Sequence, residues 1–363
     1  MNRIILIGNG FDLAHGLETS YRHFIDNFWK NLANDFNTRC PVRNFNNDFL
    51  SINASLISPE SRFLDYQSFR DWLKDYKIKI TFKNRFLGKI SEKSAFKNWV
   101  DIEEEYYQQI KNILNPPKVY DSHDYRGDNE KGIDIIIELN EDFKRIKQEL
   151  KKYLLDEQNA ANNKSNPRTI MRIKEKIYSN FDVKDFNEAG KNAVEKENIN
   201  QPKEILFLNF NYTNTEAFYS GRNTYIHIHG DLEYPQNPII FGYGDELADE
   251  YKEIEKINNN CFLENIKSIK YLETDNYKRL LNFINSDNYQ IFIMGHSCGI
   301  SDRTLLNTLF EHPHCVSIKT FYHKRDDGTD DYGDVTKNMS RNFTDKPMMR
   351  EKVVNKTYCE PLL

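Results

Sequence analysis

The chain has 363 residues, 39% of them hydrophobic and 13% aromatic, with a formal net charge of −5. That length can bury a sizeable core, the aromatic content argues against a disordered chain, and the acidic balance disfavours nonspecific nucleic-acid binding while leaving room for a local basic patch. Five cysteines, an odd number without a C-x-x-C pair, argue for reduced thiols in the cytoplasm over a disulfide framework or a structural zinc site, and no metal is expected.

The first element is Ile4-Ile5-Leu6-Ile7, a β-branched run closed by Gly8, which reads as a buried parallel strand and is too short for a signal peptide. A polar interval with helical spacing follows, around 21–37, 62–76, 94–114, 134–156 and 168–181. Within it Ile136, Leu139, Phe143, Ile146, Leu150 and Tyr153 recur as one helical stripe. Asn115-Pro116-Pro117, the loop 121–132 and the Asn-rich stretch 157–167 read as breaks. Strand-like runs return at 205–208, 224–228, 239–241, 291–294 and 316–322. No apolar stretch approaches the ~18 residues of a membrane span, so no membrane partner is expected. The last thirty or so residues are polar, and no element is assigned to them.

This order predicts an α/β fold with a Rossmann-like, mostly parallel sheet. Residues 1–20 and 201–363 would build the discontinuous core, and 21–200 a large all-helical insertion or cap. In open parallel sheets, ligands collect at the carboxyl ends of the strands.

Four turns at such ends carry the candidate residues. The first is Gly8-Asn9-Gly10-Phe11-Asp12-Leu13-Ala14-His15-Gly16, where a strand meets Gly-x-Gly and then a helical pattern. Such a turn lets backbone N–H groups approach a phosphate, although a tight strand-to-helix corner needs the same glycines. The third glycine of G-x-G-x-x-G falls on Leu13, so the standard dinucleotide fingerprint fails. The others are Asn209-Phe210-Asn211-Tyr212-Thr213, His227-Ile228-His229-Gly230 and Gly295-His296-Ser297. Strand alternation predicts His227 and His229 on one face. Asn211 offers a donor and an acceptor, suited to a water or a ribose hydroxyl. Singly, each residue is more often structural; the set of four turns carries the weight.

These blocks, together with Gly16-Leu17-Glu18-Thr19-Ser20-Tyr21, Asp302 and the helical Trp99-Val100-Asp101-Ile102-Glu103, resemble the AbiH-type abortive-infection family of phage defence. More distantly, the turns resemble Sir2-type NAD-consuming enzymes. Gly8, Gly10 and Gly16 fall without gaps on the glycines of the sirtuin G-A-G-I-S…G pattern. Asn211 matches the asparagine of the T-Q-N-I-D turn, with Thr213 at its aspartate, and His229 matches the histidine of the H-G motif. Gly295-His296-Ser297 stands where sirtuins carry G-T-S. Glu18-Thr19-Ser20-Tyr21 replaces the sirtuin P-D-F-R, and the cysteine pairs of the zinc ribbon are missing. The resemblance therefore implies a Sir2-like core without a zinc ribbon and hydrolysis of a nucleotide cofactor, not protein deacylation.

On that resemblance the chain is expected to be an anti-phage effector that hydrolyses NAD at the nicotinamide–ribose bond. His229 would be the base and Asn211 would orient water or ribose. Gly8, Asn9 and Gly10 would hold the diphosphate, Ser297 would lie near the adenosine-side ribose, and Asp12 would contact the nicotinamide end or fix the turn. Phe11, Gly16, Thr213, Gly295 and His296 complete the expected cofactor-binding set. NAD or a related nucleotide is the expected ligand, with a second copy of the chain or a phage-derived trigger as further partners. A non-catalytic nucleotide-sensing module is the competing reading, ahead of a nuclease toxin. Acidic residues such as Asp101 and Glu103 on a helix are more often solvated, the alternative being that one of them reaches a ligand cleft.

Overall fold

The computed structural model describes residues 1–38, 44–53, 65–97, 101–115, 130–196, 200–219, 221, 223–244, 246–247 and 249–363. The chain divides into two compact units. One comprises Met1–Glu18, Leu154–Glu253 and Asn265–Leu363; the other comprises Thr19–Tyr153 and Ile254–Glu264. Residues 154–196, read from the sequence as insertion, group here with the first unit.

The first unit is organised by a five-stranded parallel sheet. Its strands are β1 (Asn2–Ile7), β5 (Ile205–Asn209), β6 (Asn223–His227), β7 (Tyr289–Met294) and β8 (Cys315–Phe321). The numbers β2 (Asn44–Asn46), β3 (Leu50–Asn53) and β4 (Lys79–Phe82) belong to strands of the other unit. The spatial order is β6-β5-β1-β7-β8, with all four pairings parallel. The chain thus winds outward from β1 first to one side and later to the other, and the order reverses between β1 and β7. In doubly wound sheets this switch point leaves a crevice beyond the strand ends.

β1 is buried along its whole length because both faces are covered, which is why its sequence is apolar without alternation. Ile4 and Leu6 join one core with Leu280, Phe283, Leu306, Leu309 and Met339. Ile5 and Ile7 join another with Phe11, Ile173, Ile177, Phe207 and Tyr219. Near the amino ends of the strands the fully buried Arg3 donates to the carbonyls of Ile177 and Ser179 at 2.9 and 2.7 Å and to Gln290. Burial brings its pKa down to about 9.

The run 239–241 is buried but forms no strand; the N–H of Ile240 donates to the carbonyl of His229 at 2.7 Å. The C-terminal polar stretch folds into the helices Tyr332–Asn342 and Lys346–Lys352, with Val335 and Met339 in the core.

The second unit departs from the all-helical insertion expected from the sequence, since β2, β3 and β4 form an antiparallel sheet. They are three or four residues long and Asn- or Lys-bearing, too short for a periodic signal. Around Trp29 lie Tyr66 and Phe69, with ring centroids 4.8 and 4.7 Å away. The expected helix at 94–114 is two helices, Arg85–Lys97 and Ile102–Leu114, and Trp99 and Val100 of the family-like motif lie outside the described residues. Asp101 caps the second helix by accepting from the N–H groups of Glu103 and Glu104 at 3.0 Å. Glu103 and Glu105 are buried, contrary to a solvated reading, and Glu105 pairs with Lys93.

The predicted helix 134–156 and the break after it are one helix, Glu130–Lys164. Tertiary bonds override the weak helix propensity of the Asn-rich stretch. Glu157 pairs with Lys164 at 2.7 Å and accepts from the N–H of Glu18, and Gln158 accepts from the N–H of Asn214. The break shrinks to Ser165 and Asn166, whose side chain caps Pro167–Ile177. Among the described residues no helix is long and apolar enough to cross a membrane.

Candidate functional site

The turns after β1 and β7 meet backbone to backbone. A Cβ on Gly8 would lie 2.5 Å from Cα of His296, and one on Gly10 would lie 2.9 Å from Cα of Gly295. Gly295 has φ +75, and its Cβ would fall 2.0 Å from the Phe11 nitrogen. Three glycines are required because no side chain fits between the two turns. Their N–H groups are taken up in the process. Gly10 donates to the Gly295 carbonyl at 2.7 Å, Gly8 to Met294 at 3.4 Å and Phe11 to Gly8 at 2.9 Å. The expected phosphate cradle therefore lacks these three donors as the turn stands, and the glycines serve a tight corner. Gly16 ends the short helix Asn9–Ala14 at φ +85, and Phe11 lies wholly in the core.

Asp12 fixes the turn. Its buried carboxylate accepts the hydroxyls of Thr213 at 2.5 Å and Thr215 at 2.7 Å, tying the β1 turn to the β5 turn. Within the β5 turn Asn209 accepts from the N–H of Asn211 at 2.8 Å and donates to Glu216 at 2.7 Å. Asn211 in turn donates its amide to the Gly8 carbonyl at 3.0 Å. This bond sets the flip of the amide, so Oδ1 of the half-buried Asn211 points the other way with no hydrogen bond among the described residues.

His229 lies next to this turn. Its Nδ1 is 3.1 Å from the Phe210 carbonyl, which can only accept, so Nδ1 carries the proton and Nε2 the lone pair. Nε2 faces the Tyr271 hydroxyl at 3.2 Å and Oδ1 of Asp302 at 3.3 Å. Asp302 also meets the buried Lys267 ammonium at 2.8 Å and His296 Nε2 at 3.6 Å. His296 Nδ1 accepts the N–H of Cys298 at 2.9 Å, which puts the proton of that ring on Nε2, toward Asp302. The Phe210 ring lies between the two imidazoles, 5.1 Å from His229 and 4.4 Å from His296.

The electrostatics follow from this packing. Burial and the nearby Lys267 ammonium push the His229 pKa down, so the ring is a neutral base in the physiological range. Burial alone would raise the Asp302 carboxyl, but the Lys267 ammonium, helped by the His296 ring, holds it well below the usual carboxylate range. His227 does not share the surroundings of His229, because β6 ends at His227 and a turn intervenes. Its Nε2 meets Glu216 at 2.7 Å, and Asp231 lies 3.8 Å from Nδ1. Burial lowers the His227 pKa, but Glu216 and Asp231 outweigh it and leave the net shift upward.

The residues singled out from the sequence thus converge, although not in equal roles. Gly8, Gly10, Gly295, Asn211, His229 and His296 form one contiguous group beyond the carboxyl ends of β1, β5, β6 and β7. Asp12, Thr213, Phe11 and Gly16 shape the turns. Ser297 is exposed, and its carbonyl accepts from Asn338 at 2.8 Å. Lys267 and Tyr271 were not found from the sequence, and Asp302 entered only through the family resemblance. Nothing in the polar stretch around Lys267 signals its burial, which depends on a carboxylate 35 residues away. Among the described residues no group of three or more His, Cys, Asp or Glu side chains is placed to hold a metal ion.

A family model described as bacteriophage abortive infection AbiH matches residues 63–324, which include Asn211, His229, Lys267, Tyr271, His296 and Asp302. No curated protein and no solved structure matches the chain.

Proposed function

The chain belongs to the bacteriophage abortive infection AbiH family, and from that premise we propose that it acts as an NAD-hydrolysing effector built on a Sir2-like core. Membership implies a role in phage abortive infection; the chemistry is our reading of the site. The observation that carries it is the meeting of Asn211, the Gly8 turn and the neutral His229 at the sheet's switch point, with the Asn211 amide 3.0 Å from Gly8 and the His229 ring 3.1 Å from the carbonyl before Asn211.

In this reading the sugar joined to nicotinamide lies over Asn211, whose outward Oδ1 accepts a ribose hydroxyl. The C1′–N bond breaks through an oxocarbenium-like state, and its electron pair goes to the pyridinium nitrogen, which leaves neutral nicotinamide. Water oxygen bonds to C1′ and gives its proton to Nε2 of His229, and the imidazolium so formed is stabilised by Asp302. Nicotinamide is a good leaving group, so positioning and exclusion of solvent matter more than a strong acid. The diphosphate lies beside Asn9 and Gly10, the half-buried part of the first turn. With two of that turn's glycine N–H groups taken, affinity rests on the ribose and nicotinamide ends.

The test is chromatography of nicotinamide released from NAD by the wild type, His229→Ala and Asn211→Ala. The reading expects slow release from the wild type, where the Tyr271 hydroxyl sits on His229, and its loss in both variants. Equal turnover in all three removes these assignments. A binding-only module is favoured by one observation, that both His229 nitrogens are engaged inside the protein. It predicts saturable NAD binding without nicotinamide, unchanged in His229→Ala.

A further inference from the structure

Resting on the reading of His229 as the base, we infer that the segment 265–273 is an autoinhibitory strap, with Tyr271 as the plug that occupies the catalytic nitrogen. A general base needs its lone pair directed at the substrate or its water. Here Nδ1 is spent on Phe210, so Nε2 is the nitrogen left, and the Tyr271 hydroxyl donates to it from 3.2 Å. The ring of Tyr271 lies parallel to that of His229 at an interplanar angle of 2°, and His229 is only 4% exposed. A ribose cannot reach Nε2 while Tyr271 stays in place.

The strap has little regular structure of its own. It contains one four-residue helix, Lys267–Lys270, and the single turn Tyr271–Glu273, and both are too short to be stable alone. Its inner face is anchored at several points, among them the buried Ile266 and the stack of Tyr271 on Tyr277. Lys267 pairs with Asp302 at 2.8 Å, Tyr271 meets His229, and backbone bonds join Lys267 N–H to Tyr243 at 2.8 Å and Tyr243 N–H to Asn265 at 3.1 Å. Its outer face carries large apolar side chains in water, Leu272 at 82% and Ile269 at 40% exposure. Lys267 and Tyr271 are buried beneath. Segments without a long helix or strand open locally at a lower free energy than core strands.

Displacement of Tyr271 does two things at once. It frees the lone pair of Nε2, and it leaves Asp302 beside that nitrogen as the counter-ion for the protonated ring. Tyr271 thereby controls access to the base.

The experiment measures access to His229 directly. Diethyl pyrocarbonate, which acylates neutral imidazole nitrogens, is applied without NAD, and the modification rate is mapped by peptide mass spectrometry, with the exposed His323 as internal reference. The expected result is slow reaction of His229 in the wild type and acceleration of about tenfold or more in Tyr271→Ala, with His323 unchanged. In parallel, hydrogen exchange on the wild type is expected to show amides 265–273 opening well before those of β1, a readout independent of any variant's folding. His229 reacting as fast as His323 in the wild type, equal His229 rates in wild type and folded Tyr271→Ala, or strap amides as protected as β1 overturns the strap. An accelerated His229 in a variant that still releases no nicotinamide supports the strap and removes the NAD chemistry, so the two failures are told apart.

Discussion

Lys267→Met removes one charge from a buried cluster and leaves the other behind. Lys267 and Asp302 are 1% and 8% exposed and meet at 2.8 Å. Breaking a buried pair by deleting one partner costs about 3–5 kcal/mol, because the remaining carboxylate loses its compensation. The cluster holds a partial remedy, since His229 Nε2 at 3.3 Å and His296 Nε2 at 3.6 Å both face Asp302. With the Lys267 ammonium gone, the like-charge effect that helps depress His229 disappears and an unopposed carboxylate draws a proton onto the ring. In the variant the folded-state pKa of His229 therefore rises. A histidine with a raised folded pKa contributes stability that is fully present below its unfolded value and is lost as pH rises through the folded value. The expected destabilisation is thus near the full figure at about pH 8 and smaller at about pH 6. Urea unfolding at both pH values reads it, and Lys267→Met with Asp302→Asn should cost less than the sum of the single changes. A loss under about 1 kcal/mol at both pH values, or simple additivity of the two changes, refutes the account of the cluster as one electrostatic unit.

Other substitutions test the turns that frame the site. Gly295→Ala must place a methyl at φ +75 and 2.0 Å from the Phe11 nitrogen. The left-handed strain alone costs about 1–2 kcal/mol, and the β1 and β7 turns must also part, so thermal unfolding should shift markedly downward. Thr213→Val deletes a hydroxyl that donates to the buried Asp12 carboxylate at 2.5 Å, and loss of about 1.5–3 kcal/mol in chemical denaturation is expected. Glu216→Gln removes the partner that raises His227. Because the folded pKa of His227 lies above its ordinary 6.5, the pairing stabilises fully below that value and fades as pH rises through the folded one. The stability gap between wild type and Glu216→Gln should narrow from about pH 5 to about pH 8, and a gap that widens contradicts the assignment.

The core sheet was readable because its strands are continuous apolar runs such as Ile4-Ile5-Leu6-Ile7, which only burial on both faces requires. The same logic misread 239–241, where Ile240 is buried through a bond to the His229 carbonyl and pairs with no strand. Asn44-Phe45-Asn46 carries too little pattern to be seen, and its register comes from pairing with β3. In the site, glycines and motif-like turns could be located, but their use could not. Gly8, Gly10 and Gly295 owe their identity to each other across the sheet, a contact between residues nearly 300 positions apart that no local spacing encodes. Tyr271 and Lys267 have no local signature either, because their roles are defined by His229 and Asp302.

A crystal structure of the protein with NAD or an uncleavable analogue bound puts the central claim to its most direct test. It should show the ribose against Asn211 Oδ1 beyond the ends of β1 and β7, with Tyr271 withdrawn from His229 and Nε2 turned toward C1′. A nucleotide seated elsewhere on the protein, or one bound there with Tyr271 still on the imidazole, contradicts it.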